Sequence, residues 1–192
     1  MPKSTGPNGN VPDQVADQTG SQDQSGKPDI FNKRAVMETS LGSFTLEFYP
    51  QDAPKAVENF LGLAQKGYYD GVTFHRVVKG FVVQAGDPTG TGRGGESFFG
   101  GAFEDELNPT AASYQAGYQK GVLAMANRGP HTNTSQFFIM LADTPLDHLY
   151  TIFGKVVAGQ DVVDKIGMVA IDPKTDKPVE PVVIKRMKVE DE

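Results

Sequence analysis

The chain has 192 residues, enough for one domain of about 160 residues with a full hydrophobic core once a weakly patterned start is set aside. Its 24 acidic and 18 basic residues give a net charge of −6, which argues against a phosphate backbone as the main partner, and no run of Lys or Arg offsets it. The absence of cysteine excludes disulfides, thiolate metal sites and cysteine nucleophiles, and no stretch reaches the apolar length of a membrane span.

Residues 1–29 carry only Met1, Val11, Val15 and Ala16 as apolar groups among Gly, Pro, Ser, Thr, Asn, Gln, Asp and Lys. A segment so poor in apolar surface cannot offset the entropy of ordering it, so it reads as a disordered polar tail or tether, with the folded domain over residues 30–192. The first residues lack a basic-then-apolar signal pattern. The expectation is a cytoplasmic protein, the alternative being an exported or surface-tethered one whose targeting segment is absent from this chain.

From Arg34 the sequence alternates: Val36 and Glu38, then Phe44, Leu46 and Phe48 against Thr45, Glu47 and Tyr49, joined through Leu41-Gly42-Ser43. That pattern predicts a hairpin with one buried face. Asp52 to Lys66 reads as a helix, because Val57, Phe60, Leu61 and Ala64 follow i, i+3, i+4, i+7 spacing. Asp52 is its expected cap, Pro54 suits its first turn, and Gly67 closes it. Apolar runs at 81–85, 121–126, 136–142, 151–157 and 182–189 have strand length, and one more helix fits Gln160 to Ile166. Many short strands with two helices fit a mostly β fold, a closed antiparallel barrel capped at its ends.

Two blocks carry the chemistry. The first runs Phe74-His75-Arg76-Val77-Val78-Lys79-Gly80-Phe81-Val82-Val83-Gln84-Ala85-Gly86-Asp87, and the second joins Met125-Ala126-Asn127 to Ser135-Gln136-Phe137-Phe138. A charge inside an apolar run is expensive to bury without a partner, so Arg76 taken alone fits either an ordinary ion pair or a functional donor. Phe81, Val82, Met125, Phe138 and Leu146 taken singly read as core, and Asn127 as a turn residue in Asn-Arg-Gly-Pro.

Together the blocks resemble the cyclophilin family of peptidyl-prolyl isomerases, over roughly residues 34 to 190. The resemblance implies an eight-stranded barrel with two helices. It implies a catalytic set of Arg76, Phe81, Gln84, Asn127 and Phe138, and a substrate-binding set of Val82, Ala126, Gln136, Leu146 and Tyr150. Its substrates would be X-Pro bonds in proline-containing peptides and unfolded proteins, turned over without a cofactor; a monomer with no metal and no nucleic acid partner is expected. Rotating such an amide means breaking its resonance, a barrier of about 18–20 kcal/mol. The twisted proline nitrogen regains a lone pair, so a donor aimed at it binds the transition state selectively. A permanently protonated guanidinium suits that task. A proline-peptide binding scaffold with little turnover is the rival expectation; a hydrolase would need a nucleophile–base pair, and no motif supplies one.

Several features are discounted on context. Gly90-Thr91-Gly92-Arg93-Gly94-Gly95 sits in a formal dinucleotide-type glycine run, but no helix pattern follows it. The three histidines lack metal-ligand spacing, and His75 reads as a hydrogen-bonded structural residue. One departure from the family pattern stands out. Many cyclophilins have tryptophan where this chain has Pro145 and histidine where it has Tyr150, and there is no tryptophan anywhere. The resemblance therefore implies weak binding of the cyclic peptide cyclosporin.

Overall fold

The computed structural model describes residues 29–191. The expected tail lies almost wholly outside them. Eight strands and three helices follow in the order β1 (Lys33–Thr39), β2 (Gly42–Phe48), α1 (Pro54–Gln65), β3 (Arg76–Val78), β4 (Val82–Ala85), α2 (Ala112–Ala116), β5 (Val122–Met125), β6 (Phe137–Met140), β7 (Ile152–Ala158), α3 (Gln160–Gly167) and β8 (Ile184–Asp191). They form one sheet in the spatial order β3-β4-β6-β5-β7-β2-β1-β8, with antiparallel neighbours throughout.

The sheet curls but does not close as a ladder, which corrects the expected closed barrel. Among the described residues the two ends meet through one bridge, Thr73 with Val183, and through short backbone bonds such as Phe74 N–H to the Val182 carbonyl at 2.9 Å. The three-residue β3 is too short to carry a ladder on both of its edges.

The hairpin buries Ala35, Met37 and Thr39 of β1 against Phe44, Leu46 and Phe48 of β2, so Val36 and Glu38 lie on the less buried face. Helix α1 buries Val57, Phe60, Leu61 and Ala64 as their spacing predicts. Phe60 anchors it, its ring 5.0–5.5 Å from those of Phe48, Tyr69, Phe137 and Phe153. Burial of such a ring stabilises by about 1.5–3 kcal/mol before packing terms. Gly67, at φ +68°, follows the helix as expected.

The caps are supplied across the fold rather than locally. Asp52 does not cap α1; its carboxylate accepts the Ser113 N–H of α2 at 2.9 Å. The open N–H groups of Lys55 and Ala56 in α1 donate instead to Glu106, at 3.0 and 2.9 Å. Helix α2 itself was not expected. Its five residues bury no side chain, so no apolar period marks it.

Strands β4, β5 and β6 read as continuous apolar runs because both of their faces are covered. Val83, Ala85, Leu123, Met125, Phe137 and Ile139 join the main core. The alternate residues Val82, Val122, Ala124, Phe138 and Met140 build a second apolar cluster on the opposite face, with Phe81, Leu146 and Tyr150 packed against it. That second face carries the site.

Candidate functional site

Strand register assembles the centre of the site. Arg76 pairs with Gln84, Gln84 with Phe138, and Phe138 with Ala124, giving one row across β3, β4, β6 and β5. Residues opposite each other on adjacent strands share a face. Arg76, Gln84 and Phe138 therefore point the same way although the chain separates them widely.

They open into a cavity of about 220 Å³ whose apolar wall is Phe81, Val82, Phe138, Leu146 and Tyr150 and whose polar wall is Arg76, Gln84 and Asn127, with Ala126 between. Gln136 lies one step away, in an adjoining cavity of about 240 Å³ that shares Gln84, Ala126 and Asn127 with the first. All ten residues singled out in the sequence thus meet in one two-chambered groove. Met125 turns away from it into the main core. Pro145 is exposed and lines a separate cleft, so the wall of the first cavity ends at Leu146.

A chain of hydrogen bonds fixes the polar wall. Arg76 Nη1 donates to Gln84 Oε1 at 3.4 Å, Gln84 Nε2 to Gln136 Oε1 at 3.0 Å, and Gln136 Nε2 to the carbonyls of Gly92 and Gly94 at 3.0 and 2.8 Å. Arg76 Nε also lies 3.7 Å from Asp176 Oδ2, with about 40% of each side chain exposed. Asp176 holds a left-handed φ of 58°, and its carbonyl accepts the Val77 N–H at 2.8 Å, so its loop is pinned to β3. The ion-pair reading of Arg76 therefore holds, and the pair stands at the rim of the cavity.

The apolar wall is held just as firmly. The Tyr150 ring meets Phe138 edge-on at 5.4 Å, while Tyr118 Oη donates to the Tyr150 carbonyl at 2.8 Å and accepts its N–H at 3.1 Å. Asn127 does double duty, since its side chain donates to the Leu149 carbonyl at 2.8 Å and accepts the Gly129 N–H at 3.3 Å within the turn.

The glycine-rich loop hangs on Asp87, which is fully buried. Its carboxylate accepts the Thr89 N–H at 2.8 Å and hydroxyl at 2.7 Å, and the Thr91 and Gly94 N–H groups each at 3.1 Å. Burial pushes the carboxyl up, but these bonds from Thr89 and the loop backbone outweigh it and hold it far below the usual carboxylate range. His75 departs from expectation. It is buried, yet neither ring nitrogen meets a partner in hydrogen-bond geometry, and that burial lowers its pKa and keeps it neutral. The glycine-rich loop passes over the Nε2 edge of its ring, where a Cβ at Gly92 would sit 3.4 Å away.

Sequence reasoning missed Asp87 and Asp176 as organisers of the site. Asp87-Pro88-Thr89-Gly90 did offer a signal, the turn chemistry by which Asp binds backbone N–H groups ahead of it. Asp176 offered none, because its partner lies 100 positions earlier in the chain.

Residues 34–189 match the family described as cyclophilin type peptidyl-prolyl cis-trans isomerase. This chain is a cyclophilin. It is 51% identical over 168 residues to a peptidyl-prolyl cis-trans isomerase of Arabidopsis thaliana, covering 87% of this chain and 99% of that one. Peptidyl-prolyl cis-trans isomerase-like 1 of Aspergillus fumigatus is 53% identical, covering 82% and 95%. Among solved structures, a cyclophilin type isomerase of Cryptosporidium parvum determined in the presence of the dipeptide Ala-Pro is similar, with a TM-score of 0.76 and 38% identity. It covers 83% of this chain and 99% of its own.

In this cyclophilin Asp176 is placed to aim Arg76. Asp176→Asn removes the charge and keeps the shape, and a part-exposed pair of this kind contributes about 0.2–1 kcal/mol. The expected result is a fall in kcat of roughly 1.5- to 5-fold with KM nearly constant, because aiming matters most in the transition state. Saturation kinetics check it; a rise in KM alone would show that Asp176 serves ground-state binding.

Proposed function

We propose that this cyclophilin accelerates cis–trans rotation about X-Pro bonds in peptides and unfolded proteins, with Arg76 as the transition-state donor. One observation carries the assignment of Arg76: a guanidinium held by Gln84 and Asp176 stands at the rim of a chamber of about 220 Å³, facing an apolar wall. The proline ring fills the chamber against Phe81, Phe138 and Leu146. Gln84, Gln136 and the backbone at Ala126 and Asn127 hold the peptide on either side. The planar amide offers Arg76 no nitrogen lone pair, whereas the twisted amide does, so the contact strengthens only as the barrier is climbed. Loss of amide resonance also makes the twisted state less polar and better suited to an apolar wall.

Uncatalysed X-Pro rotation takes tens of seconds, slow enough to limit folding, and an enzyme acting on it serves as a folding helper. NMR exchange on an Ala-Pro peptide at substoichiometric protein tests the reading. Faster exchange between the cis and trans signals is expected. Binding without faster exchange would favour a proline-peptide scaffold instead.

Cyclosporin should bind weakly. Beyond Leu146 the wall falls away at the exposed Pro145, where a tryptophan would offer an apolar face and an N–H donor. Losing one hydrogen bond and part of an aromatic contact costs roughly 1–3 kcal/mol, or about ten- to a hundredfold in affinity. Inhibition titrations on the wild type and on Pro145→Trp check this. Equal potency, with the variant folded, would refute it.

A further inference from the structure

The second chamber of the groove has a chemical character of its own. It shares Gln84, Ala126 and Asn127 with the proline chamber, so a peptide seated in the first must pass it. Its remaining wall includes Arg128, Thr132 and Thr134, and no acidic side chain lines it. Arg128 is exposed and makes no ion pair among the described residues; its backbone N–H donates to the Thr132 hydroxyl at 2.8 Å, while its guanidinium makes only a long contact from Nη2 to the Gly92 carbonyl at 3.4 Å. The Thr134 hydroxyl likewise has no partner among the described residues. Arg93 is exposed on the same loop as Gly92. In a chain of net charge −6, an acid-free pocket with an unpaired guanidinium is a local reversal of sign.

We propose that Arg128 makes this chamber a subsite for an acidic side chain of the substrate, and so biases the enzyme toward proline sites with a nearby Asp or Glu. In an extended peptide, alternate side chains face the same way at a spacing of about 6.6 Å, so the residue two positions from the proline is the one that enters a neighbouring chamber. Its carboxylate meets Arg128, and the Thr134 hydroxyl is free to donate to it. Arginine suits this role because its planar fork matches a carboxylate. The preference rests on the isomerase reading above.

The test uses the full chain and peptides with one Ala-Pro bond, carrying Glu, Gln or Lys two residues before the proline, and a second set with the change two residues after it. At one of these positions kcat/KM is expected to rank Glu over Gln over Lys, by about two- to fivefold per step at low ionic strength, shrinking as salt is added. Arg128→Ala should flatten the ranking, Arg128→Lys should keep it, and Arg128→Glu should reverse it. Each ratio is taken within one protein, so a general change in activity cancels. Equal rates for the three peptides at both positions, or a Glu preference that survives Arg128→Glu, would overturn the proposal while leaving the isomerase reading intact. No acceleration of any peptide would overturn both.

Discussion

Replacing Arg76 by alanine is expected to lower kcat/KM by about 10²–10³, the loss associated with removing one preorganised donor to a transition state. Most of that loss should fall on kcat. Affinity for an Ala-Pro peptide should change far less, because the chamber proposed for the proline ring is built from Phe81, Phe138, Leu146 and Tyr150, none of which depends on Arg76 for its place. Arg76 is part-exposed on an outer face of the sheet, so the substitution should leave the core intact. Arg76→Lys keeps the charge but not the fork, and should recover only part of the rate. Titration of peptide affinity alongside kcat separates the roles: lost affinity with kcat retained would remove Arg76 from the transition state.

Replacing Asp87 by alanine is expected to produce the largest loss of stability among single changes at the site. The wild-type carboxylate satisfies three backbone N–H groups, of Thr89, Thr91 and Gly94, from a fully buried position. Hydrogen bonds to a charged group contribute about 1.5–3 kcal/mol, and stranding several donors at once costs more than one such bond, so a loss of roughly 3 kcal/mol is expected. For a domain of this size that corresponds to a fall in Tm of roughly 6–12 °C. Activity should fall as well, since Gly92 and Gly94 supply the carbonyls that hold Gln136, and Gln136 in turn holds Gln84.

The same carboxyl sets a pH signature. Its folded pKa lies below the ordinary aspartate value of about 3.9, so its contribution is complete above that value and is lost as pH falls below it. Wild-type stability should therefore decline more steeply in acid than that of Asp87→Ala. Thermal melts of both proteins between neutral and strongly acidic pH check both expectations. Parallel curves would show that Asp87 is not the group responsible.

Local pattern alone determined much of this protein. The periodicity of Val57, Phe60, Leu61 and Ala64 marked α1, the run from Gln160 marked α3, and turn-bounded apolar stretches marked most strands, because burial of a helix stripe or a strand face leaves a period in the chain. The two motif blocks marked most of the residues that line the groove. What lacked a period was invisible. Helix α2 buries nothing.

Tertiary structure alone decided the rest, wherever the partner of a group is distant in sequence. Asp52 looks like the cap of α1 from its position, yet it serves α2, and Glu106 from 50 residues away takes its place. Arg76 had two readings that local sequence could not separate, and only the meeting of β3 with the loop at Asp176 gave it an ion pair at the cavity rim. The sheet stays open as a ladder because closing it depends on whether residues 71–74 and 182–184 can pair at length, and they meet for only a few bonds. A hydrogen bond or an ion pair acts over a few ångströms in space and leaves no mark at a fixed spacing along the chain, which is why composition and period reveal the elements and the fold alone reveals what each one holds.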